Sequence, residues 1–216
     1  PVLRHEVFFG QWESQPVAPA DGLRPGAMAL ADFDGDGDLD LFVGGRDEPG
    51  RYPVAAPSRL WRNLGHRWVP EGSVETWLKD VGLVRGAVWA DLEADGFAEL
   101  VLSVEWGPIR IFRNRQGRLS AWDPRVRETG RPGECPLSDL SGGWSGITAG
   151  DFDGDGRLDL VVGNWGRNSR YAASDEHPVR AWHGDVDGNG TWEFFETHWD
   201  PALNKEVPWA DWGMVR

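Results

Sequence analysis

An internal period of sixty residues constrains this chain more than any other feature. GAMALADFDGDGDLDLFVGG begins at Gly26, GAVWADLEADGFAELVLSV at Gly86 and GITAGDFDGDGRLDLVVGN at Gly146. A period of tens of residues means that one supersecondary unit is built repeatedly and stacked, each copy burying the face of the next. Within each unit an apolar stretch enters an acidic loop, which exits into alternating apolar residues such as Leu39, Leu41 and Val43, or Leu158, Leu160 and Val162. That alternation predicts strand, loop, strand. A second hairpin pattern follows in each unit: SRLWRNLGHRWVP from Ser58, IRIFRNRQGRLSAW from Ile109 and VRAWHGDVDGNGTWEFF from Val179.

Four antiparallel strands per repeat is the blade of a β-propeller, so the predicted class is all-β. The 29 glycines and 15 prolines agree, since they leave little room for long helices. The expected organisation is blade one over residues 22–80, blade two over 81–143 and blade three over 144–200. Segments 1–21 and 201–216 flank them as strands of incomplete blades. A ring normally needs about four to eight blades. Residues beyond this chain or a second chain are therefore expected to complete it, unless the blades form an open stack whose sheet faces bind a partner. The chain opens at Pro1, not Met, which reads as a processed mature form or a piece of a longer protein.

The acidic loops have the spacing of a hard-cation site. Asp32, Asp34, Asp36 and Asp40 occupy loop positions one, three, five and nine, with Gly37 at six and the carbonyl of Asp38 at seven. Ca²⁺ takes about six to eight oxygen ligands, and a glycine allows the reversal that brings alternate carboxylates to one point. Loop three repeats the pattern with Asp151, Asp153, Asp155, the Arg157 carbonyl and Asp159. Loop two holds Asp91, Glu93, Asp95, the Phe97 carbonyl and Glu99, but two acids are the longer Glu and Ala94 replaces a glycine. Loop four, with Asp185, Asp187, Asn189, the Thr191 carbonyl and Glu193, follows loop three by 34 residues and is assigned to the second hairpin of blade three. Asp-Gly clusters also form ordinary turns, but a constant period and converging like charges favour structural Ca²⁺ in loops one and three, with one or two further sites in loops two and four. An EF-hand is excluded in loops one and three because position twelve is Val43 and Val162; only loop four places a glutamate there, Glu196, between strand-like flanks.

These residues resemble the FG-GAP or VCBS repeats of integrin-α-like propellers, over roughly residues 22–200. The context FVGGRDEPGRYP, APSRLWRN and VVGNWGRNSRYAASDEHPVR is similar to bacterial repeat proteins that also carry an ASPIC/UnbV segment. The resemblance implies a DxDxDGxxD calcium loop between the first two strands of each blade. Its ligands transfer to Asp32, Asp34, Asp36 and Asp40, and to Asp151, Asp153, Asp155 and Asp159. It also implies a secreted or periplasmic, non-enzymatic protein.

The formal charge of −13 repels nucleic acid and anionic membranes. No apolar run is long enough for a spanning helix. Cys135, the single cysteine, reads as a free thiol. Of the 14 tryptophans, Trp61, Trp68, Trp89, Trp182 and Trp192 are read as strand residues packed between blades, and Trp199, Trp209 and Trp212 as an interface for missing blades. Trp106 and Trp165 each end the second strand of a blade and are candidates for contacting a partner. Asp175, Glu176 and His177 form an acid and base cluster without a paired nucleophile, in a loop. The leading function is a calcium-binding extracytoplasmic scaffold or adhesion module with a protein or glycan partner. One alternative is a lectin-like or polysaccharide-active propeller, which needs exposed Trp beside carboxylates in a pocket; another is an accessory subunit of a larger extracytoplasmic assembly.

Overall fold

The computed structural model describes residues 24–65, 67–130, 132–166 and 173–209, together with the backbone of the strands at 2–8 and 11–18. The latter, β1 (Val2–Phe8) and β2 (Gln11–Ala18), form an antiparallel hairpin. The first repeat is a four-stranded antiparallel sheet in chain order: β3 (Pro25–Ala31), β4 (Asp40–Gly45), β5 (Arg59–Asn63) and β6 (Trp68–Pro70). A 3-10 turn at Gly72–Val74 and the short helix α1 (Glu75–Leu78) lead to the second repeat. There β7 (Leu83–Ala90), β8 (Glu99–Pro108), β9 (Arg110–Asn114) and β10 (Leu119–Trp122) repeat the same order. After the short pair β11 (Arg125–Val126) and β12 (Cys135–Pro136), the third repeat supplies β13 (Ser141–Gly150) and β14 (Asp159–Asn164). The chain is nearly all-β, built from antiparallel sheets of the kind that form propeller blades, and among the described residues these sheets do not close into a barrel.

The segment after Val179 pairs differently from the sequence expectation. β15 (Arg180–Gly184) bonds β16 (Glu193–Asp200), which bonds β17 (Lys205–Pro208); among the described residues neither β15 nor β16 pairs with β14. The fourth acidic loop therefore lies between the first two strands of a separate sheet, as loops one to three lie between β3 and β4, β7 and β8, and β13 and β14. The outer hairpins of the first two repeats turn instead on Gly65 and Gly117, both at positive φ. An acidic nine-residue loop belongs to an inner hairpin, where its ninth residue opens the second strand.

Packing between the first two repeats explains their repeated glycines. A Cβ on Gly26 would lie 2.5 Å from the Val84 carbonyl oxygen, and one on Gly44 would lie 2.6 Å from a Val84 methyl carbon. Only glycine lets β3 and β4 approach β7 this closely. Gly86 meets Ile147 of β13 in the same way, at 3.0 Å. Gly146, the third copy, has nothing within 4 Å. The middle strands follow the same trend: Phe42 and Val101 are 0% exposed, whereas Val161 at the equivalent place is 53% exposed. The main core joins Phe33, Phe42, Leu60, Val84, Leu100, Leu102 and Phe112 across the first two repeats. Burying each such side chain stabilises by about 1.5–3 kcal/mol relative to leaving it in water.

The tryptophans divide accordingly. Trp61 is buried on β5, Trp68 packs against it, and Trp89 stacks on Phe33 with ring centroids 5.9 Å apart. Trp182 is largely exposed on β15, and Trp192 precedes β16 with the Arg51 guanidinium 4.3 Å over its ring. Neither is a buried residue packed between sheets. The backbone N–H of Trp209 bonds the Glu196 carbonyl, so the segment after 201 does supply an edge strand, β17. Trp212 lies outside the described residues.

Candidate metal centre

The four acidic loops share one cage of backbone hydrogen bonds. The position-one carboxylate accepts the position-six N–H: Asp32 from Gly37, Asp91 from Gly96, Asp151 from Gly156 and Asp185 from Gly190, at 2.9, 2.9, 3.0 and 2.9 Å. Position five accepts the N–H of position seven: Asp36 from Asp38, Asp95 from Phe97, Asp155 from Arg157 and Asn189 from Thr191. The ninth residue reaches back to the second: Asp40 to Phe33, Glu99 to Leu92, Asp159 to Phe152 and Glu193 to Val186. The reversal at position six has φ of 94, 89, 85 and 85° at Gly37, Gly96, Gly156 and Gly190. Position four is also left-handed, which suits Gly35, Gly154 and Gly188 but forces Ala94 to φ 54°. Loop two thus carries backbone strain that the others avoid.

The cage leaves donor oxygens converging in three loops. Asp32, Asp34 and Asp36 each offer an oxygen within 4.8 Å of the others, as do Asp151, Asp153 and Asp159, and Asp185, Asp187 and Glu193. Three hard anionic oxygens at that separation suit a cation that favours oxygen ligands. Asp40 is turned inward and 0% exposed, accepting from Phe33 and, at 2.8 Å, from the Asn63 N–H. Burial raises its pKa to about 6; the two backbone bonds oppose that shift, and the charges of Asp34 and Asp36 add to it. Glu99 is likewise buried and raised by desolvation. In loop three, the Arg157 side chain bonds Asp155 and lowers its pKa. Strands flank loop four on both sides, which excludes a helix-flanked EF-hand there.

Loop two assembles differently. Glu93 lies 2.9 Å from the Arg113 Nε and 2.8 Å from Arg115, and Asp95 lies 2.6 Å from Arg115. Its acids do not form a converging carboxylate group among the described residues. Arg113 has a counterpart in loop one, where Arg62 reaches Asp34 at 3.0 Å. Arg115 has none: the equivalent residue after the Arg-Asn pair is Leu64. Two guanidinium groups therefore supply at loop two the positive charge that a cation would bring.

The sequence reading missed this second ring of residues. Asn114 donates to the carbonyls of Phe33 and Ala98, while its backbone N–H bonds Glu99. Asn63 donates to the Leu39 carbonyl. The signal was present as Trp61-Arg62-Asn63 and Phe112-Arg113-Asn114 in aligned hairpins, but only the fold brings those strands beside the loops. Trp106 and Trp165 are exposed, as expected, and both line one cleft at the strand ends opposite the loops. His177 stacks on Trp199 with ring centroids 4.2 Å apart, and its backbone N–H bonds the Ser174 hydroxyl oxygen.

No curated protein matches the chain. The FG-GAP-like repeat family matches it twice, over residues 32–102 and 91–162. Each match starts on the position-one aspartate of one loop and extends past the next loop, so the family pattern and the hydrogen-bonded cage coincide. These matches span more than half of the 216 residues, and the chain belongs to the FG-GAP-like repeat family.

Proposed function

We propose that this chain is a calcium-binding interaction module whose ions hold its inner hairpins in place and whose sheet faces engage a protein partner. FG-GAP repeats are typical of integrin-like adhesion and protein-interaction modules. The observation that carries the reading is the convergence of three carboxylate oxygens within 4.8 Å in each of loops one, three and four, on a shared backbone cage. Asp32, Asp34, Asp36 and Asp40 would hold the ion of loop one with the Asp38 carbonyl. Asp151, Asp153, Asp155 and Asp159 would do so in loop three, and Asp185, Asp187, Asn189 and Glu193 in loop four. Loop two is the site that arginine replaces.

The role is structural, because the loop carboxylates accept hydrogen bonds from their own loop's backbone. Repeat units near 22–80 and 81–143 form blades, and the exposed face of the third repeat is where a further sheet or partner stacks. The setting is extracellular or periplasmic, where free calcium is abundant. No helix among the described residues is long and apolar enough to cross a membrane.

Thermal unfolding with calcium and with chelator tests the proposal. A site filled only in the folded state adds about 2.7 kcal/mol at a hundred times its Kd. Calcium should raise the melting temperature, and Asp34→Asn or Asp153→Asn should each remove part of the rise, while Glu93→Gln should remove less. Identical curves with calcium and chelator would reduce the loops to turns.

A further inference from the structure

We infer that the cleft at the strand ends opposite the acidic loops binds a neutral oligosaccharide. The cleft measures about 580 Å³ and lies where the end of β8, the start of β13 and the end of β14 meet. This is within the range of small-molecule sites, and its position makes it independent of the loop cages. Trp106, Trp144 and Trp165 line it together with Asp139, Asn164 and Asp175. Trp106 and Trp165 are 36% and 58% exposed, unusual for the largest apolar side chain.

The Trp106 ring is held in place before any ligand arrives. Its indole N–H donates to the Tyr52 hydroxyl at 2.8 Å, and Tyr52 donates to Glu105 at 3.1 Å. Arg85 clamps the same carboxylate with two bonds of 2.6 and 2.7 Å. Trp106 sits at φ 62°, a backbone conformation that the surrounding contacts must maintain. Trp165 is tied through its backbone N–H to the Gly143 carbonyl, and the Trp144 indole N–H to the Leu140 carbonyl. Rigid aromatic surfaces bind a flat apolar ligand face at low entropic cost.

Polar groups of both kinds adjoin these rings. The Asn164 side-chain oxygen accepts the Gly166 N–H, leaving the amide nitrogen as the donor end. That nitrogen lies where a Cβ on Gly142 would come within 2.6 Å, so the glycine keeps it accessible. Asp139 adds an exposed acceptor. A pyranose ring matches this set: its C–H face stacks on indole, and its hydroxyls both donate and accept. Among the described residues the cleft's carboxylates outnumber its guanidinium, that of Arg85, which disfavours an anionic sugar. A bare cation would use the rings and acids but not the Asn164 amide.

The test uses the full chain on an array of neutral gluco-, galacto-, manno- and xylo-oligosaccharides, followed by calorimetry on the best responder. Saturable binding is expected, weakened about tenfold or more by Trp165→Ala at unchanged melting temperature. Trp106→Phe, which keeps a ring but loses its tether, should weaken binding less. Where Trp165→Ala melts early, Asp139→Ala on an exposed side chain makes the same comparison. Absence of binding to every sugar would overturn the assignment, as would affinity unchanged in both Trp165→Ala and Asp139→Ala. Phosphocholine is the cationic control, and its binding in place of any sugar would also overturn it. Binding should persist with chelator while the protein stays folded; its loss would move the sugar to a calcium loop.

Discussion

Loops one and three are nearly the same sequence, DFDGDGDLD and DFDGDGRLD, and they fold onto the same cage, yet they sit in opposite surroundings. Phe33 of loop one is 0% exposed and stacked on Trp89 of the next repeat, while Phe152 of loop three is 60% exposed. Asp40 is fully buried and receives the Asn63 N–H from β5; Asp159 is half-buried and, among the described residues, receives the Phe152 N–H of its own loop. The difference teaches that the loop is a self-contained unit whose geometry follows from short-range hydrogen bonds. What it contributes to stability depends on which sheet stacks behind it.

The largest effect expected from this comparison concerns the two phenylalanines. Phe33→Ala should cost about 3–5 kcal/mol, as for a fully packed aromatic. Phe152→Ala should stay within about 0.5 kcal/mol, as for a surface change. Chemical denaturation of the two variants measures both. Equal losses would mean that the third repeat is covered in solution, and a partner or second copy would then have to be sought there.

A smaller effect is a pH dependence that loop one imposes. In the calcium-free protein Asp40 has a folded pKa of about 6 against 3.8 for a free aspartate, so the folded state binds the extra proton between those values. Stability from this group is present below pH 3.8 and is lost as pH rises through about 6. Glu99 shifts in the same direction. Denaturant midpoints of calcium-free protein across that window should fall more steeply for wild type than for Asp40→Asn. Matching slopes would show that the carboxyl is solvated and that its buried position does not persist in solution.

The smallest expected effect sharpens the contrast with loop two. Arg115→Leu installs the side chain that loop one has at the equivalent place, Leu64, and frees Glu93 and Asp95 from one guanidinium. Calorimetry should then count one additional calcium per chain. An unchanged count would assign the closure of loop two to Ala94 and its longer glutamates, not to Arg115.

Much of this molecule was legible in its residues. The sixty-residue period, the all-β class, the strand-loop-strand order and the loop ligand spacing all follow from local pattern, because a nine-residue loop with Asp at one, three and five and Gly at six has few ways to satisfy its own N–H groups. The Arg-Asn pairs were visible as repeated residues, but their reach to the loops was not, since strand five and strand nine meet them only through sheet pairing. The pairing of β15 was missed for a related reason. Hairpin patterns look alike in one dimension, and only register with β16 and β17 separates an inner hairpin from an outer one.

By itself, then, the sequence determined each acidic loop, since hydrogen bonds spanning two to seven residues define it and need no distant partner. The tertiary structure set loop two apart from loop one, because Arg115, just past the end of β9, reaches Glu93 and Asp95 and has no counterpart in loop one. It also decided which aromatic is core and which is surface, because Phe33 has a repeat stacked on it and Phe152 does not. Trp106 and Trp165 lie 59 residues apart in the chain and meet at one cleft only because β8 and β13 pair at their ends. Burial and long-range charge are properties of neighbours, and neighbours are set by packing and not by adjacency along the chain.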